Sequence, residues 1–336
     1  MEQFHRLTIE YAEIGNQRVD KYLLSLEIEE IHSRSFLHKL IEKGLLNVNN
    51  KRVKKNFQLT KGDSIILDIP SEEPTDIIPQ DIELAIVYED EYLAVIDKPA
   101  GLTVHPAPGN PSNTLANALV YRYKGTLSDG SGNKRPGIVH RLDKNTSGLI
   151  VIARDNKTHA LLSQAFSERQ VSKTYIALLQ GRIDKNPEES WRCIEEPIGR
   201  NRNDRKKMAV RSEGKSAVTY FRAIEPLEYF TKTEIRIETG RTHQIRVHLT
   251  WAGHPVLGDR TYSTLKQELA PLPTQLQKRY KHICSHHLTR QALHAHKLAF
   301  RHPITGKELN FVSPFPPDME KTWQQLLAVQ EMAETL

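Results

Sequence analysis

The sequence predicts an α+β protein in two units, a small N-terminal module and a larger domain beyond a linker. Segments of helical and of strand-like apolar spacing are interleaved along all 336 residues. Residues 71–80 fall in a stretch rich in proline and acidic side chains, which disfavours regular structure and marks a linker. Before it, under about 60 residues already hold a full set of helix, turn and strand signals, a module with a core of its own. A chain of this length has room for a large domain beside the small one, with no need of staples. The formal charge of +6 favours a polyanionic partner. Cys193 and Cys284 are too far apart to suggest a disulfide framework, so a reducing cytoplasm is expected. The N-terminus lacks the pattern of an export signal, and no stretch approaches the ~18 apolar residues of a membrane span.

Within residues 15–70, Val19, Leu23, Leu24 and Leu26 space a first amphipathic helix. Ser33 and Ser35 offer caps for a second, in which Phe36, Leu37, Leu40 and Ile41 recur at helical intervals until Gly44. Residues 45–48 form a short strand turned by Asn49-Asn50, with Val53 on the return, and residues 64–69 supply another. Lys43, Lys51, Arg52, Lys54 and Lys55 gather at the helix end and the turn, whereas the linker is acidic. That concentration of cations favours phosphate contact over a merely solvated face.

Past the linker, residues 84–88 and 92–96 are apolar runs around Glu89-Asp90-Glu91, a hairpin signal, followed by a Lys98-Pro99-Ala100-Gly101 turn. Residues 114–123 carry a capped helical pattern, and the Gly-, Ser- and charge-rich residues 125–136 predict a mobile surface loop. In residues 137–155, GIVHRLDKNTSGLIVIARD, a polar loop lies between two apolar runs that read as buried strands. Residues 156–168 turn Leu161, Leu162, Ala165 and Phe166 inward on a helix, and residues 171–179 make a strand on which Lys173 and Tyr175 share a face. The basic stretch 199–208, with Arg200, Arg202, Arg205 and Lys206, is long enough to reach out and clamp nucleic acid. Residues 217–223 and 233–238 are strand-like. From Thr242, the spacing of Ile245, Leu249 and Ala252 predicts a helix with Arg241 near its start and Arg246 one turn in. A helical region at 265–278, a strand at 292–300 and a last helix at 318–333 complete the chain. No repeat with a period of about 20 to 50 residues is present, which excludes a solenoid.

Asp143 lies between Arg141 and Lys144, cations that favour the carboxylate form a nucleophile requires. The string alone fits a turn aspartate among surface charges equally well. A kinase catalytic loop would read His-Arg-Asp-Leu, and here Leu142 and Asp143 stand in the opposite order, with no Gly-rich phosphate loop before and no Asp-Phe-Gly after. His282, Cys284, His286, His287, His294 and His296 mix metal-ligand types but include no cysteine pair, so packing or RNA contact is the better reading.

Residues 18–69, with two helices and the turn GLLNVNNKRVKKN, resemble the small S4-like RNA-binding domain. GIVHRLDKNTSGLIVIARD, VSKTYIALLQG and ETGRTHQIRVHLTWAGHPVLGD resemble the three signature segments of the RluA-type pseudouridine synthases. With HPAPGNPSNTLANAL and the N-terminal unit, the chain is similar to the RluD-like branch of that family nearly end to end. Asn145 departs from the pattern, in which many members carry Asp.

The resemblance implies a catalytic domain at residues 81–325 with a mixed, mostly antiparallel sheet. It implies isomerisation of uridine within RNA, the uracil leaving its ribose and rejoining through carbon rather than nitrogen. No metal, nucleotide or redox cofactor is expected. By matching segments, Asp143 corresponds to the nucleophile, Tyr175 to the aromatic that stacks on the target base, and Arg246 to the arginine paired with the aspartate. Arg141 matches the residue that helps displace the base, with Lys173 and Arg241 expected beside the RNA. The branch implies large-subunit ribosomal RNA as substrate, with a pre-ribosomal particle as partner, and nothing in the sequence demands more than a monomer. Transfer RNA is the nearest alternative, and a non-catalytic RNA-binding assembly factor is one of a different class.

Physical chemistry supports these roles independently. A carboxylate can attack sugar or base and so avoid a free oxocarbenium ion. A retaining glycosidase would need a second carboxylate to activate water, and none is evident, which suits an isomerase that keeps water out. Arg246 can fix Asp143 with a geometry that lysine would not reproduce. Carbon 5 of a stacked, paired uridine is out of reach, so the base must be extruded, and stacking on Tyr175 would contribute about 1–3 kcal/mol.

Overall fold

The computed structural model describes residues 4–333 apart from 27, 29, 32, 33, 71–76, 108, 129–135, 186–190 and 205. The N-terminal unit comprises β1 (Phe4–Glu10), β2 (Gln17–Arg18), α1 (Val19–Ser25), α2 (Arg34–Glu42), β3 (Leu46–Val48), β4 (Lys51–Arg52), β5 (Gln58–Leu59) and β6 (Ser64–Pro70). Both predicted helices form, and Leu23, Leu37, Leu40, Leu46, Ile65 and Leu67 bury a common core. Ser33, one of the two expected caps, lies outside the described residues. Asn49 and Asn50 both take positive φ, 51° and 61°. Two successive left-handed residues are what a tight hairpin demands, and asparagine tolerates them better than most side chains. The hairpin sets Lys51, Arg52, Lys54 and Lys55 in solvent.

The unit begins earlier than the expected residue 15. β1 pairs with β6 from Phe4↔Pro70 to Glu10↔Ser64, completing an antiparallel sheet of order β1-β6-β3-β4. Most of β1 faces outward, so its sequence carries little apolar signal.

The larger domain contains β7 (Ala85–Glu89), β8 (Leu93–Lys98), α3 (Leu115–Tyr123), β9 (Ser147–Ala153), α4 (Asn156–Ser167), β10 (Ser172–Gln180), β11 (Arg192–Glu195), β12 (Ile198–Arg200) and β13 (Met208–Val210). It continues through β14 (Val218–Pro226), β15 (Phe230–Ile237), α5 (Gln244–Trp251), α6 (Leu265–Leu269), α7 (Thr274–His286), β16 (Leu293–Arg301), β17 (Glu308–Val312) and α8 (Pro317–Ala333). Its nine-stranded sheet runs β11-β14-β15-β10-β16-β9-β8-β7, with β17 beside β16. The β9–β16 contact is parallel and the other pairings described are antiparallel, so the sheet is mixed and mostly antiparallel. Its two faces are both covered. Ile150 and Ile152 of β9 pack in a core with Leu119 of α3 and Leu249 of α5, whereas Leu149 and Val151 pack in another with Leu162 of α4. That alternation is the two-residue period of a strand buried on both sides. A third core joins α7 and α8 through Tyr280, Ile283, Trp323 and Leu326.

Several expected boundaries move. Ile77 is buried in the core with Ala94, and Asn117 Nδ2 donates to Ile78 O at 2.8 Å, so the domain starts inside the expected linker rather than at 81. Its end passes residue 325, because α8 stays packed through Val329. Residues 137–139 are not a strand; Ile138 makes a single bridge to Ile152. The expected helical region 265–278 divides into α6 and α7 where Pro271 and Pro273 interrupt it, since proline cannot continue a helix. The expected loop at 125–136 lies largely outside the described residues. No helix among the described residues is long and apolar enough to cross a membrane.

Candidate active site

The loop carrying Asp143 is held from below. Leu142 is buried in the core beneath it. Lys98, wholly buried at the end of β8, points Nζ at three carbonyl oxygens, Pro99 O at 2.8 Å, Leu102 O at 3.0 Å and Lys144 O at 3.2 Å. Burial brings the Lys98 pKa down to about 7 against the pull of the Asp143 charge. Arg290 holds Asp318 through Nε and Nη2, and its Nη1 donates to Asn145 O at 3.2 Å. Past the loop, β9 approaches β16 so closely that a Cβ on Gly148, at φ 109°, would run into the Ala295 backbone. Only glycine fits there. Lys144 turns away and donates to Asn110 Oδ1 at 2.9 Å, so it is not a partner of Asp143.

Arg246 takes that role from the first turns of α5. Its Nη1 donates to Asp143 Oδ2 at 2.9 Å, while Nε and Nη2 hold Asp259 at 2.6 and 2.8 Å. The guanidinium is 5% exposed and Asp259 1%, against 18% for Asp143. Burial alone would depress the Arg246 pKa, but the two carboxylates outweigh it and raise the value. Buried charge of this kind is tolerable only when fully bonded. A second carboxylate is therefore present, contrary to expectation. Both its oxygens are committed to Arg246 and it is sealed from solvent, so it cannot serve as a glycosidase-type acid. The Arg246 guanidinium also lies 5.1 Å from the Tyr262 ring centroid. Tyr262 Oη sits 2.8 Å from His243 Nδ1, and His243 Nε2 is 4.0 Å from Asp143 Oδ1. Burial lowers the His243 pKa, which favours the neutral ring.

Across the cleft, β10 presents Lys173 and Tyr175 together. Tyr175 pairs with Ala295 where the register of β16 shifts, leaving His296 as an extra residue opposite the step. Burial, reinforced by the Asp143 charge, raises the Tyr175 pKa, so its phenol is protonated at neutral pH. Burial takes Lys173 down to about 8, with Nζ 5.5 Å from the Phe166 ring centroid. His140 stacks on Phe166 at 4.6 Å and accepts from Val151 N at 3.0 Å. Burial, and secondarily Lys173, pushes its pKa down to about 3, making it a neutral wall.

One cavity of about 600 Å³ brings together Asp143, Tyr175, Arg246, Arg141, Lys173 and Arg241. Arg141 and Arg241 are exposed at its edge, and Arg241 Nε donates to Ser216 O at 3.0 Å. Arg200, Arg202 and Lys206 do not line it. They sit on and beside the β12–β13 hairpin, where Arg202 pairs with Glu213 at 2.8 Å; Arg205 lies outside the described residues. The hairpin is tied to the site all the same, because Met208 N donates to Tyr262 Oη at 2.9 Å. The histidine cluster is dispersed: His282, Cys284 and His286 are on α7, while His294 bonds Ser147 from β16. Sequence reasoning missed Lys98, His243, Asp259 and Tyr262. For Asp259 the available signal was the preceding Gly258, at φ 72°, where a Cβ would strike the Arg290 carbonyl.

The sequence profile of the RNA pseudouridylate synthase family matches residues 92–251, and that of the S4 domain matches residues 17–65. The chain is 41% identical over 314 residues to the ribosomal large subunit pseudouridine synthase D of Zymomonas mobilis, spanning 92% of this chain and 94% of that protein. It is 41% identical over 317 residues to an uncharacterized RNA pseudouridine synthase of Aquifex aeolicus, again spanning 92% and 94%. Among solved structures, human RNA pseudouridylate synthase domain containing 4 is similar at TM-score 0.54 and 27% identity, covering 72% of this chain and 93% of that one.

Proposed function

The chain belongs to the RNA pseudouridylate synthase family, and from that premise we propose that it modifies uridines of large-subunit ribosomal RNA with Asp143 as nucleophile. It is an isomerase with an S4 domain ahead of its catalytic domain. The observation that carries the assignment of Asp143 is its 2.9 Å bond from Arg246, whose far side is locked by Asp259. The carboxylate is thereby aimed, and it lines the cleft with 18% of its side chain exposed.

In this reading the target uridine leaves its helix, Arg141 helps displace it, and the base stacks on Tyr175. Asp143 attacks sugar or base, and the bond between carbon 1′ and nitrogen 1 breaks. The uracil turns to present carbon 5, a bond forms between carbon 5 and carbon 1′, Asp143 is released, and carbon 5 gives up its proton while nitrogen 1 takes one up. The nucleotide's composition is unchanged overall, so the site has only to orient groups, let that proton exchange occur and exclude bulk water. Lys173 and Arg241 meet the RNA at the rim, while the S4 hairpin and the β12–β13 hairpin add phosphate contacts.

Support for the ribosomal target comes from the Zymomonas relative, whose name specifies the large subunit. Such a substrate places the enzyme's work in the cytoplasm. Mapping pseudouridines in ribosomal and transfer RNA from cells with and without this protein tests both points. Loss of defined large-subunit positions is expected, whereas loss confined to transfer RNA would reassign the substrate.

A further inference from the structure

We propose a second base-binding platform beside the catalytic cleft, where the base of a nucleotide adjoining the target uridine stacks on Trp191. It rests on the RNA-modifying function above and extends it to the neighbouring nucleotide. A cavity of about 450 Å³ lies against the half-buried Trp191. It shares Arg169, Lys173, Ile237 and Glu238 with the catalytic cavity, so the two hollows meet at a common ridge. An RNA strand leaving the cleft across that ridge comes next to Trp191.

The chemistry of the hollow suits a nucleotide. Two guanidiniums lie over the indole, Arg236 at 4.3 Å and Arg222 at 4.8 Å from a ring centroid, so that a base would stack on the face turned away from them. Both rise from one face of β14 and β15, where Arg236 lies opposite Tyr220, and Arg222 opposite Glu234. The carboxylates nearby are engaged: Glu234 binds Arg222 at 2.7 Å, and Glu238 takes Arg169 at 2.5 Å and Tyr220 Oη at 3.0 Å. Around the cavity, Arg169, Lys173 and Arg236 outnumber Glu238, leaving the wall cationic. An aromatic ring set among cations is a sequence-tolerant platform for a base, with phosphates held by the charges around it.

The reaction itself creates the need. Extruding the target uridine strips its neighbour of a stacking partner, a cost that a second aromatic surface one step away offsets. Tyr175 would hold the target and Trp191 the neighbour, with Lys173 and Arg169 under the connecting backbone.

The test uses the full chain, a transcript of large-subunit ribosomal RNA, and a hairpin cut from it around a uridine that the wild type converts. Trp191→Leu is expected to raise KM roughly tenfold with kcat held, and Trp191→Phe to restore most of the loss. Removing the base from one flanking nucleotide of the hairpin should cost the wild type a similar factor and cost the Leu variant nothing further. This arm reads the platform on the unaltered protein, so a misfolded variant cannot decide the outcome. An unchanged KM in Trp191→Leu, or penalties that multiply at every flanking position, would overturn the platform while leaving the catalytic assignment intact. Loss of ribosomal-particle binding with unchanged KM on naked RNA would assign Trp191 to a protein contact and overturn it equally. A wild-type chain that converts no uridine overturns both readings.

Discussion

Arg246 and Lys51 are both cations assigned to work on RNA, yet they are held in opposite ways. Arg246 is 5% exposed between two carboxylates, with donors fixed at 2.6 to 2.9 Å. Lys51 stands in solvent on a hairpin whose other cations, Arg52, Lys54 and Lys55, are exposed as well. The charges of the Asp143–Arg246–Asp259 network are largely desolvated, so Arg246 and Asp259 are tolerated only through their partners and neither can be altered alone. Charges on the small domain are screened by salt and act nearly independently. The cleft should therefore respond to substitution through turnover and stability, and the hairpin through affinity.

The largest expected effect comes from breaking the buried network at its hidden end. Asp259→Ala removes a partner of Arg246 that never touches substrate and should destabilise the domain by about 3–5 kcal/mol, read by denaturant unfolding. A loss within the scatter of surface substitutions would mean that the network carries no stability. Next, Arg246→Lys keeps the charge but loses the planar fork that joins both carboxylates. A roughly hundredfold fall in kcat with Kd for RNA held is expected. Equal damage to Kd would erase the distinction between the two regions. On the small domain, replacing Lys51, Arg52, Lys54 and Lys55 by Gln should weaken binding about tenfold. The slope of log K against log salt should flatten by roughly 0.7 to 0.9 for each phosphate no longer neutralised, with kcat unchanged. An unaltered slope would show the hairpin to be merely solvated.

The smallest effect lies between the two regimes. Burial puts the Lys173 pKa at about 8, so its charge is present below that value and is lost as pH rises through it. KM should climb a few-fold from pH 7 to 9, and Lys173→Arg, which stays charged, should flatten the profile. The same climb in the Arg variant would remove Lys173 as its source.

What was legible in the sequence follows the same division. Local signals survive in the string: the Asn49-Asn50 turn, the Thr114 cap of α3 with its reciprocal bond to Asn117, and the strand that sets Lys173 and Tyr175 on one face. Asp143, Tyr175 and Arg246 could be named because each lies in a distinctive segment. Partners brought in from afar could not be. Asp259 is a lone acid until α5 places Arg246 against it, and Lys98 looks like turn punctuation until the Asp143 loop folds over it. β1 was missed because its partner strand is 54 or more residues away and most of its own side chains face solvent.

The most direct measurement sets turnover against binding in one variant of the cleft. Asp143→Asn keeps the size of the side chain and removes the nucleophilic carboxylate. Under single-turnover conditions with large-subunit ribosomal RNA it should form no pseudouridine, while its Kd for that RNA stays within about twofold of wild type. Conversion of uridine by this variant at the wild-type rate would contradict the assignment of Asp143 as nucleophile.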